Sequence, residues 1–263
     1  NGHSFTIKNT DGTFTIFHSN GLATTSLYSP NGVNGCVAAN GCMAAGPTST
    51  LTKVNGSFAV QNTDGTYLVV KGGGTTTEFY DPTSKTFSTA GAPALSGTAG
   101  RGAHALQKDA DTILIFHAGV GAGTTGTTLY NRNAKTTSAG PTTPTSVGDG
   151  NFSIELPDGR YLIFHGNGST ANFFYTPSSN TFSTVGAPTD ASAGLGGHAV
   201  HLPDKVSGAS YANAGKYLLV RGASTTTRIY DAGWSVTGTY ESEALSPAGI
   251  SASGVNSVGN ALA

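Results

Sequence analysis

Charged side chains are scarce in this sequence. Only 10% of the 263 residues are Asp, Glu, Lys or Arg, and the net charge is −1. A basic field that would attract nucleic acid or anionic lipid is therefore missing, and no long run of Lys or Arg occurs. We expect no nucleic acid and no membrane surface among the partners.

Long apolar runs and helix-forming side chains are also few. No apolar stretch approaches the roughly 20 residues that a membrane-spanning helix needs, so we expect no membrane span. Methionine occurs once, whereas the 38 glycines are accompanied by many Thr, Ser, Ala and Asn residues, a composition that favours strands and turns. Because the sequence begins at Asn1 and its only methionine is Met43, we expect a processed protein or a segment of a longer chain.

Cysteine occurs only twice, as Cys36 and Cys42, with the turn-prone segment Val-Ala-Ala-Asn-Gly between them. Two cysteines are too few for a closed zinc site. They form a small disulfide loop if the backbone doubles back, and two free thiols are the alternative. A disulfide together with the low charge indicates an extracellular or cell-surface location.

One unit recurs five times along the chain. SFTIKNTDGTFTIFH at 4–18 aligns without a gap with SFAVQNTDGTYLVVK at 57–71, and AHALQKDADTILIFH and NFSIELPDGRYLIFH repeat the pattern at 103–117 and 151–165. The fifth copy begins at Gly197, contains the insertion VSGASYANAG and ends at Arg221. Each copy has two β-branched or aromatic runs joined by Asp-Gly or a substitute, which predicts a hairpin of two strands, A and B.

A third run in each copy ends in tyrosine and predicts strand C. The five tyrosines are spaced 52, 50, 45 and 55 residues apart: Tyr28, Tyr80, Tyr130, Tyr175 and Tyr230. Turn signals follow, and KTFST, NTFST or KTTSA then predicts strand D. Strand B is apolar on both faces, as in the run at 67–70, and must be covered on both sides, which stacked blades provide.

These units predict an all-β chain: a β-propeller with five four-stranded antiparallel blades, forming a single domain over 1–263. The blades occupy approximately 1–54, 55–100, 101–147, 148–193 and 194–250. A surplus strand is predicted within 251–263, because Gly-Asn-Ala-Leu-Ala at 259–263 resembles the start of strand A. It begins a further blade of a larger propeller or mediates self-association with a neighbouring subunit, and a disordered tail is the third interpretation.

The repeat resembles a known family. Gly-Ala-His-Ala-Leu in strand A, Tyr-Leu-Val-Val-Lys-Gly-Gly along strand B, Phe-Tyr-Asp-Pro after strand C and Lys-Thr-Phe-Ser in strand D are similar to the Kelch repeat, including the galactose-oxidase-type propellers. The resemblance covers nearly the whole chain and implies the propeller fold. Phe87 and Phe182 stand where the family has a tryptophan, with Trp234 as its one counterpart. The copper ligands of galactose oxidase match no positions here, so no cofactor is expected.

The end of strand B holds an imidazole or a cation in every copy: His18, Lys71, His117, His165 and Arg221. Equivalent positions of a propeller form a ring around its axis, so these five are the candidate ligand-binding residues for an anionic or hydroxyl-rich ligand. The alternative is a structural role, in which each side chain hydrogen-bonds the neighbouring blade's backbone. Zinc is disfavoured, because such a ring is wider than the roughly 2 Å of a zinc–ligand bond.

Other recurring positions have a structural interpretation. Histidine and phenylalanine interchange at one position of strand A, which predicts packing: Phe5, Phe58, His104, Phe152 and His198. The five tyrosines are predicted to pack between sheets with their hydroxyl groups hydrogen-bonded. The 14 acidic residues fall mostly in turns or singly on the surface, without the carboxylate pair of a glycosidase, so no catalytic residue is expected.

These observations favour an extracellular, non-enzymatic recognition or adhesion module whose partner is a glycan or a protein. A structural subunit of a surface layer, fibre or appendage is the first alternative, since low charge and many Thr, Gly and Ser residues suit it equally. The second alternative is a carbohydrate-active enzyme, such as a sugar mutarotase or oxidase, which some Kelch-like propellers are.

Overall fold

The computed structural model of the chain is a five-bladed β-propeller, as predicted. It describes residues 4–19, 21–30, 41–119, 124–166, 169–189, 194, 197–201, 205–206, 209–210, 216–222, 227–232 and 239–241. Each blade is a four-stranded antiparallel sheet in which strands that follow one another along the chain are neighbours, apart from a small insertion in blade five. Within these ranges all regular structure is strand, and nothing has the length and hydropathy of a membrane-spanning helix.

The strands, numbered in chain order, are as follows. Blade one contains β1 (Phe5–Lys8), β2 (Phe14–Phe17), β3 (Thr25–Ser29) and β4 (Cys42–Ala45). Blade two contains β5 (Phe58–Gln61), β6 (Tyr67–Val70), β7 (Thr77–Asp81) and β8 (Thr86–Ser88). Blade three contains β9 (His104–Gln107), β10 (Thr112–Phe116), β11 (Thr127–Asn131) and β12 (Thr136–Ala139).

Blade four contains β13 (Phe152–Glu155), β14 (Tyr161–Phe164), β15 (Phe173–Thr176) and β16 (Thr181–Ser183). Blade five contains β17 (His198–His201), β20 (Lys216–Val220), β21 (Thr227–Asp231) and β22 (Thr239–Glu241). Its insertion forms a separate hairpin of β18 (Lys205–Val206) and β19 (Ala209–Ser210). The predicted positions Cys36, Trp234 and 251–263 lie outside the described residues, so the disulfide and the surplus strand stay predictions.

The A–B hairpins turn at the predicted Asp-Gly pairs. Gly12, Gly65 and Gly159 have φ values of 83°, 86° and 79°, a left-handed conformation that favours glycine. In blade one the Asp11 carboxylate accepts a hydrogen bond from the backbone N–H of Thr13 at 3.1 Å. Blade three has no glycine in this turn, and Asp109 accepts bonds from two backbone N–H groups instead.

The C–D turns use a left-handed residue that the sequence analysis did not identify. Lys85, Lys135 and Asn180 have φ values of 56°, 56° and 55°. The ammonium of Lys85 lies 2.5 Å from a carboxylate oxygen of Asp11, and that of Lys135 lies 2.6 Å from Asp64, each in the preceding blade. These ion pairs connect neighbouring blades at the end of the sheets where the A–B turns lie.

The hydrophobic core lies between the blades. Leu68 and Val70 of β6 face blade three, whereas Val69 packs against blade one with Phe17 and Tyr80. In the same way, Ile163 of β14 packs against blade three, and Leu162 and Phe164 face blade five. The prediction that strand B is covered on both faces is therefore confirmed.

The recurring aromatic positions pack as predicted, with one exception. Parallel ring stacks join strands A and B, with Phe5 on Phe17 at 4.3 Å and His104 on Phe116 at 4.8 Å between ring centroids. Four of the five strand C tyrosines are buried at the boundary with the preceding blade: Tyr80, Tyr130, Tyr175 and Tyr230. Tyr28 of blade one is the exception, since it is only half-buried.

Candidate functional site

Tight turns lead from each strand D to the next strand A. The N–H of Ser57 donates to the carbonyl of Val54 at 3.0 Å, and equivalent bonds close the turns at 100–103 and 148–151. The third residue of each turn is a glycine with positive φ: Gly56, Gly102 and Gly150. We call 54–57, 100–103 and 148–151 the axial turns.

The axial turns contact one another in succession. A Cβ atom on Gly56 would collide with the carbonyl of Gly100, and one on Gly102 would lie 2.7 Å from the carbonyl oxygen of Gly148. Strand A, which the axial turns precede, is the first strand of each sheet, and β13 contacts β17 of the next blade. Since the innermost strands of a propeller surround its axis, the axial turns form a ring at one end of that axis.

The B–C connections lie at the same end and bring the predicted ring residues to the axial turns. The carbonyl oxygen of His117 accepts a bond from the N–H of Gly100 at 2.6 Å, and that of His165 accepts one from Gly148 at 3.2 Å. In blade two, Gly72 packs so closely on Asn55 that a Cβ atom would collide with its carbonyl. His117 and His165, together with Lys71 just before Gly72, therefore lie at equivalent places beside the axial turns.

Several of these end-of-strand side chains are held within their own blade. His18 Nε2 lies 2.8 Å from the hydroxyl of Ser26, and His117 Nε2 lies 2.6 Å from that of Thr128, both on strand C. His165 Nδ1 lies 3.0 Å from the carbonyl oxygen of Gly166. The structural alternative thus takes a different form from the one expected, because the partners belong to the same blade rather than to the neighbouring blade's backbone.

His117 is the most constrained member of the ring. It is buried, and a Cβ atom on Gly126 would lie 2.7 Å from its Nδ1 atom. Burial lowers the pKa of His117 to about 4, so its imidazole is uncharged at neutral pH. His18, Lys71 and Arg221 are only partly buried. Ligand binding by the ring stays a prediction, and these contacts favour a structural role for His117.

A buried ion pair beside Lys71 was missed by the sequence analysis, which placed the acidic residues in turns or on the surface. Glu78 of β7 is fully buried and forms an ion pair with Lys53, which is 1% exposed. Ser49 and Thr50 donate hydroxyl groups to the Glu78 carboxylate. Burial lowers the pKa of Lys53, and Lys71 lowers it further by charge repulsion, while Glu78 opposes both.

The residues equivalent to Thr50 and Glu78 differ between the blades. The N–H of Thr50 donates to Glu78 at 3.0 Å, and the equivalent N–H of Ser96 donates to the hydroxyl of Thr128 at 3.0 Å. In blade four the equivalent residues are Pro144, which has no N–H, and Phe173, which has no polar side chain. Glu78 could have been recognised as a lone carboxylate in an internal strand, where the equivalent residues of the other blades are Ser26, Thr128, Phe173 and Arg228.

The tips of the axial turns carry polar side chains towards solvent. These are Asn55, Arg101 and Asp149, all partly exposed. A guanidinium nitrogen of Arg101 lies 3.7 Å from a carboxylate oxygen of Asp149 in the next turn. Donor and acceptor groups therefore meet at the axis. The turn tips do not repeat one residue type, so the repeat pattern did not indicate these residues.

Comparisons with known proteins identify the fold without a family. No protein-family model and no curated protein matches the chain. Among solved structures it is similar to a Penicillium chrysogenum α-L-arabinanase complexed with arabinobiose, at 13% identity and a TM-score of 0.52, over 91% of this chain and 80% of that one. It is also similar to a virginiamycin B lyase from Staphylococcus aureus, at 9% identity and a TM-score of 0.53, over 91% and 69% of the two chains.

A fungal alcohol oxidase of the AA5 family, in complex with copper, is a third similar structure. Its identity is 12% and its TM-score 0.44, over 75% of this chain, which spans 55% of the oxidase chain. The similarity to the arabinanase and to the lyase, at identities this low, indicates shared architecture only. Membership of the Kelch family stays a prediction.

Proposed function

We propose that the chain is an extracellular, non-enzymatic recognition module that binds a hydroxyl-rich or acidic glycan at the axial rim. The axial rim consists of Asn55, Arg101 and Asp149 at the turn tips and of Lys71 and Arg221 at the ends of strand B. The observation that carries the proposal is the mixture of donors and acceptors there. An amide, a carboxylate and cations on backbone positions fixed by successive turn contacts form a rigid, polar surface that can bind hydroxyl groups.

The partners of the carboxylates favour recognition over hydrolysis. Asp11 and Asp64 pair with lysines of the following blade, Asp158 pairs with Arg160, and Glu78 is buried with Lys53. A glycosidase needs two carboxyl groups about 5–9 Å apart across the scissile bond. Within the part of the chain that the structure describes, the axial rim contributes one carboxylate, that of Asp149.

A glycan array combined with light scattering tests this proposal against the structural alternative. The array should contain neutral glycans and uronic acids, and it should include arabinose oligosaccharides because the similar arabinanase propeller is complexed with arabinobiose. We expect binding to a discrete set of glycans by a species of constant mass. Concentration-dependent polymers without glycan binding would favour a structural subunit, and turnover of a bound sugar would favour an enzyme.

Charge removal at the ends of strand B tests their part in binding. We expect Lys71→Ala together with Arg221→Ala to weaken binding of an array hit, measured by calorimetry. The control is Lys85→Ala together with Lys135→Ala, which removes two cations at the opposite end of the blades and should leave binding of the array hit unchanged. If histidines contribute as cations, affinity should rise as pH falls through about 6.5. His117 should add nothing to that rise, because its pKa is lowered to about 4.

A further inference from the structure

Arg101 and Asp149 form a loose ion pair between the axial turns of blades three and four. Their side chains are 40% and 15% exposed, and the closest nitrogen and oxygen are 3.7 Å apart. That separation is too long for a hydrogen bond. Among the described residues Arg101 forms no other polar contact, so its guanidinium donors are available to a ligand.

Asn151 follows Asp149 by two residues, at the last position of the blade-four axial turn. Its side chain is 4% exposed, and neither its amide nitrogen nor its amide oxygen has a hydrogen-bond partner among the described residues. Buried amides are almost always hydrogen-bonded, because leaving them unpaired is costly. Among the described residues, the Asn151 amide is therefore left open to a polar group such as a water or a ligand hydroxyl.

The equivalent residue of blade two makes its side-chain hydrogen bonds within the protein. Ser57 donates its hydroxyl to the carbonyl oxygen of Val54 at 2.7 Å and accepts a bond from the N–H of Gly72 at 2.9 Å. The site in blade two is therefore closed by the protein itself. Blade four has the same turn and the same following glycine, Gly166, but carries a longer amide that the turn does not satisfy.

We infer that Arg101, Asp149 and Asn151 form a subsite for two neighbouring hydroxyl groups of a neutral sugar. This inference rests on the proposed function, which it makes specific. One hydroxyl accepts from Arg101, the other donates to Asp149, and Asn151 binds the inner hydroxyl directly or through one ordered water. The two charges cancel, so this subsite selects a neutral diol over an acidic sugar.

Calorimetric titration of the full chain tests the subsite. The probes are the methyl glycosides of arabinose, galactose, glucose and mannose, their deoxy analogues that lack one of two adjacent hydroxyls, and methyl galacturonoside. We expect one neutral glycoside to bind, with Arg101→Gln and Asp149→Asn each weakening it about 10-fold to 100-fold. Removing one hydroxyl should weaken it similarly. The matched control is Arg160→Gln with Asp158→Asn, an ion pair in the A–B turn of blade four, which should leave affinity unchanged.

Asn151→Ser separates a role in ligand binding from a purely structural role, because the two roles predict different changes in melting temperature and affinity. Because it recreates the self-satisfied arrangement of Ser57, we expect a higher melting temperature together with a loss of affinity. Failure of the wild-type chain to bind any of the glycosides or the array would overturn the proposed function itself. Binding that survives Arg101→Gln and Asp149→Asn but is lost in the Lys71 and Arg221 variant would overturn the subsite alone, as would tighter binding of the galacturonoside.

Discussion

The Tyr80 hydroxyl of blade two donates a hydrogen bond to the side-chain oxygen of Asn9 in blade one, 2.7 Å away. Tyr130 makes the same bond to Asn62, from blade three to blade two, at 2.6 Å. In these two blades the tyrosine ring fills the space between two sheets, while its hydroxyl satisfies a buried amide of the A–B turn. Each such bond ties one blade to the preceding one.

Removing the Tyr80 hydroxyl should weaken the contact between blades one and two. Tyr80→Phe leaves the ring in place but leaves the Asn9 oxygen with only a long bond of 3.4 Å from the Thr15 hydroxyl, so we expect a loss of about 1–2 kcal/mol in the free energy of unfolding. Urea denaturation followed by circular dichroism measures it. Tyr28→Phe is the control, since Tyr28 is half-buried, and it should change stability little. Equal losses in both variants would contradict the blade-to-blade role.

Truncating internal strand B residues should cost much more than truncating a connection residue. Val69 and Ile163 are fully buried, and Leu219 is nearly so. We expect alanine at any of the three to lower the free energy of unfolding by roughly 2–4 kcal/mol, through lost burial and a residual cavity. Thr75→Ala, in the B–C connection of blade two, should be nearly silent. Denaturant titration of the four variants provides the comparison, and four equal losses would be inconsistent with the strands.

Breaking the buried ion pair should be more harmful than replacing it. Glu78→Ala leaves the Lys53 ammonium buried without its counter-ion, and we expect a loss of about 3–5 kcal/mol in the free energy of unfolding. Lys53→Ala combined with Glu78→Thr reproduces the equivalent residues at the boundary of blades two and three, Ala99 and Thr128, and it should cost less than Glu78→Ala alone. Thermal or urea unfolding compares the two. A double variant as unstable as the single one would show that the buried charge is not the cause.

His104 should make stability depend on pH. Burial lowers the pKa of His104 to about 4, against 6.5 when unfolded, so the unfolded chain binds more protons between these values. His104 therefore does not reduce the free energy of unfolding above about pH 6.5, and it reduces that free energy increasingly as the pH drops towards 4. His104→Phe, the residue found at this position in blades one, two and four, keeps the ring stack and removes the titration. We expect the free energy of unfolding of this variant to exceed that of the wild-type chain by an amount that grows as the pH falls, to at most about 3 kcal/mol.

Urea titrations of both forms at pH 8, 6 and 4.5 measure this difference. The pKa values of Asp11 and Asp64 are lowered to about 2 by hydrogen bonds from Lys85 and Lys135, so their contribution to stability is lost only as pH falls from about 4 towards 2. Acid destabilisation through these carboxylates therefore lies below the His104 range. A pH-independent difference between His104→Phe and the wild-type chain would show that His104 is not protonated selectively in the unfolded state.

The sequence by itself determined the blades. Alternation of apolar residues, Asp-Gly turns and a tyrosine every 45–55 residues are local signals, and they specify strands, turns and packing faces without knowledge of distant contacts. The repeat then implies stacking, because one four-stranded unit that is apolar on both faces cannot cover itself. This is why the strands, the covered strand B and the tyrosines at the blade boundaries were predictable.

The tertiary structure alone decided which polar groups meet. Lys53 and Glu78 are 25 residues apart, and Arg101 and Asp149 are 48 apart, and neither pair belongs to the repeat. Their proximity depends on blades packing in succession and on glycines that let consecutive axial turns touch. A side chain's partner is set by that packing rather than by the residues beside it in the chain. The sequence could therefore predict a ring of histidines and cations, whereas the proximity of Arg101 and Asp149 became visible only in the folded chain.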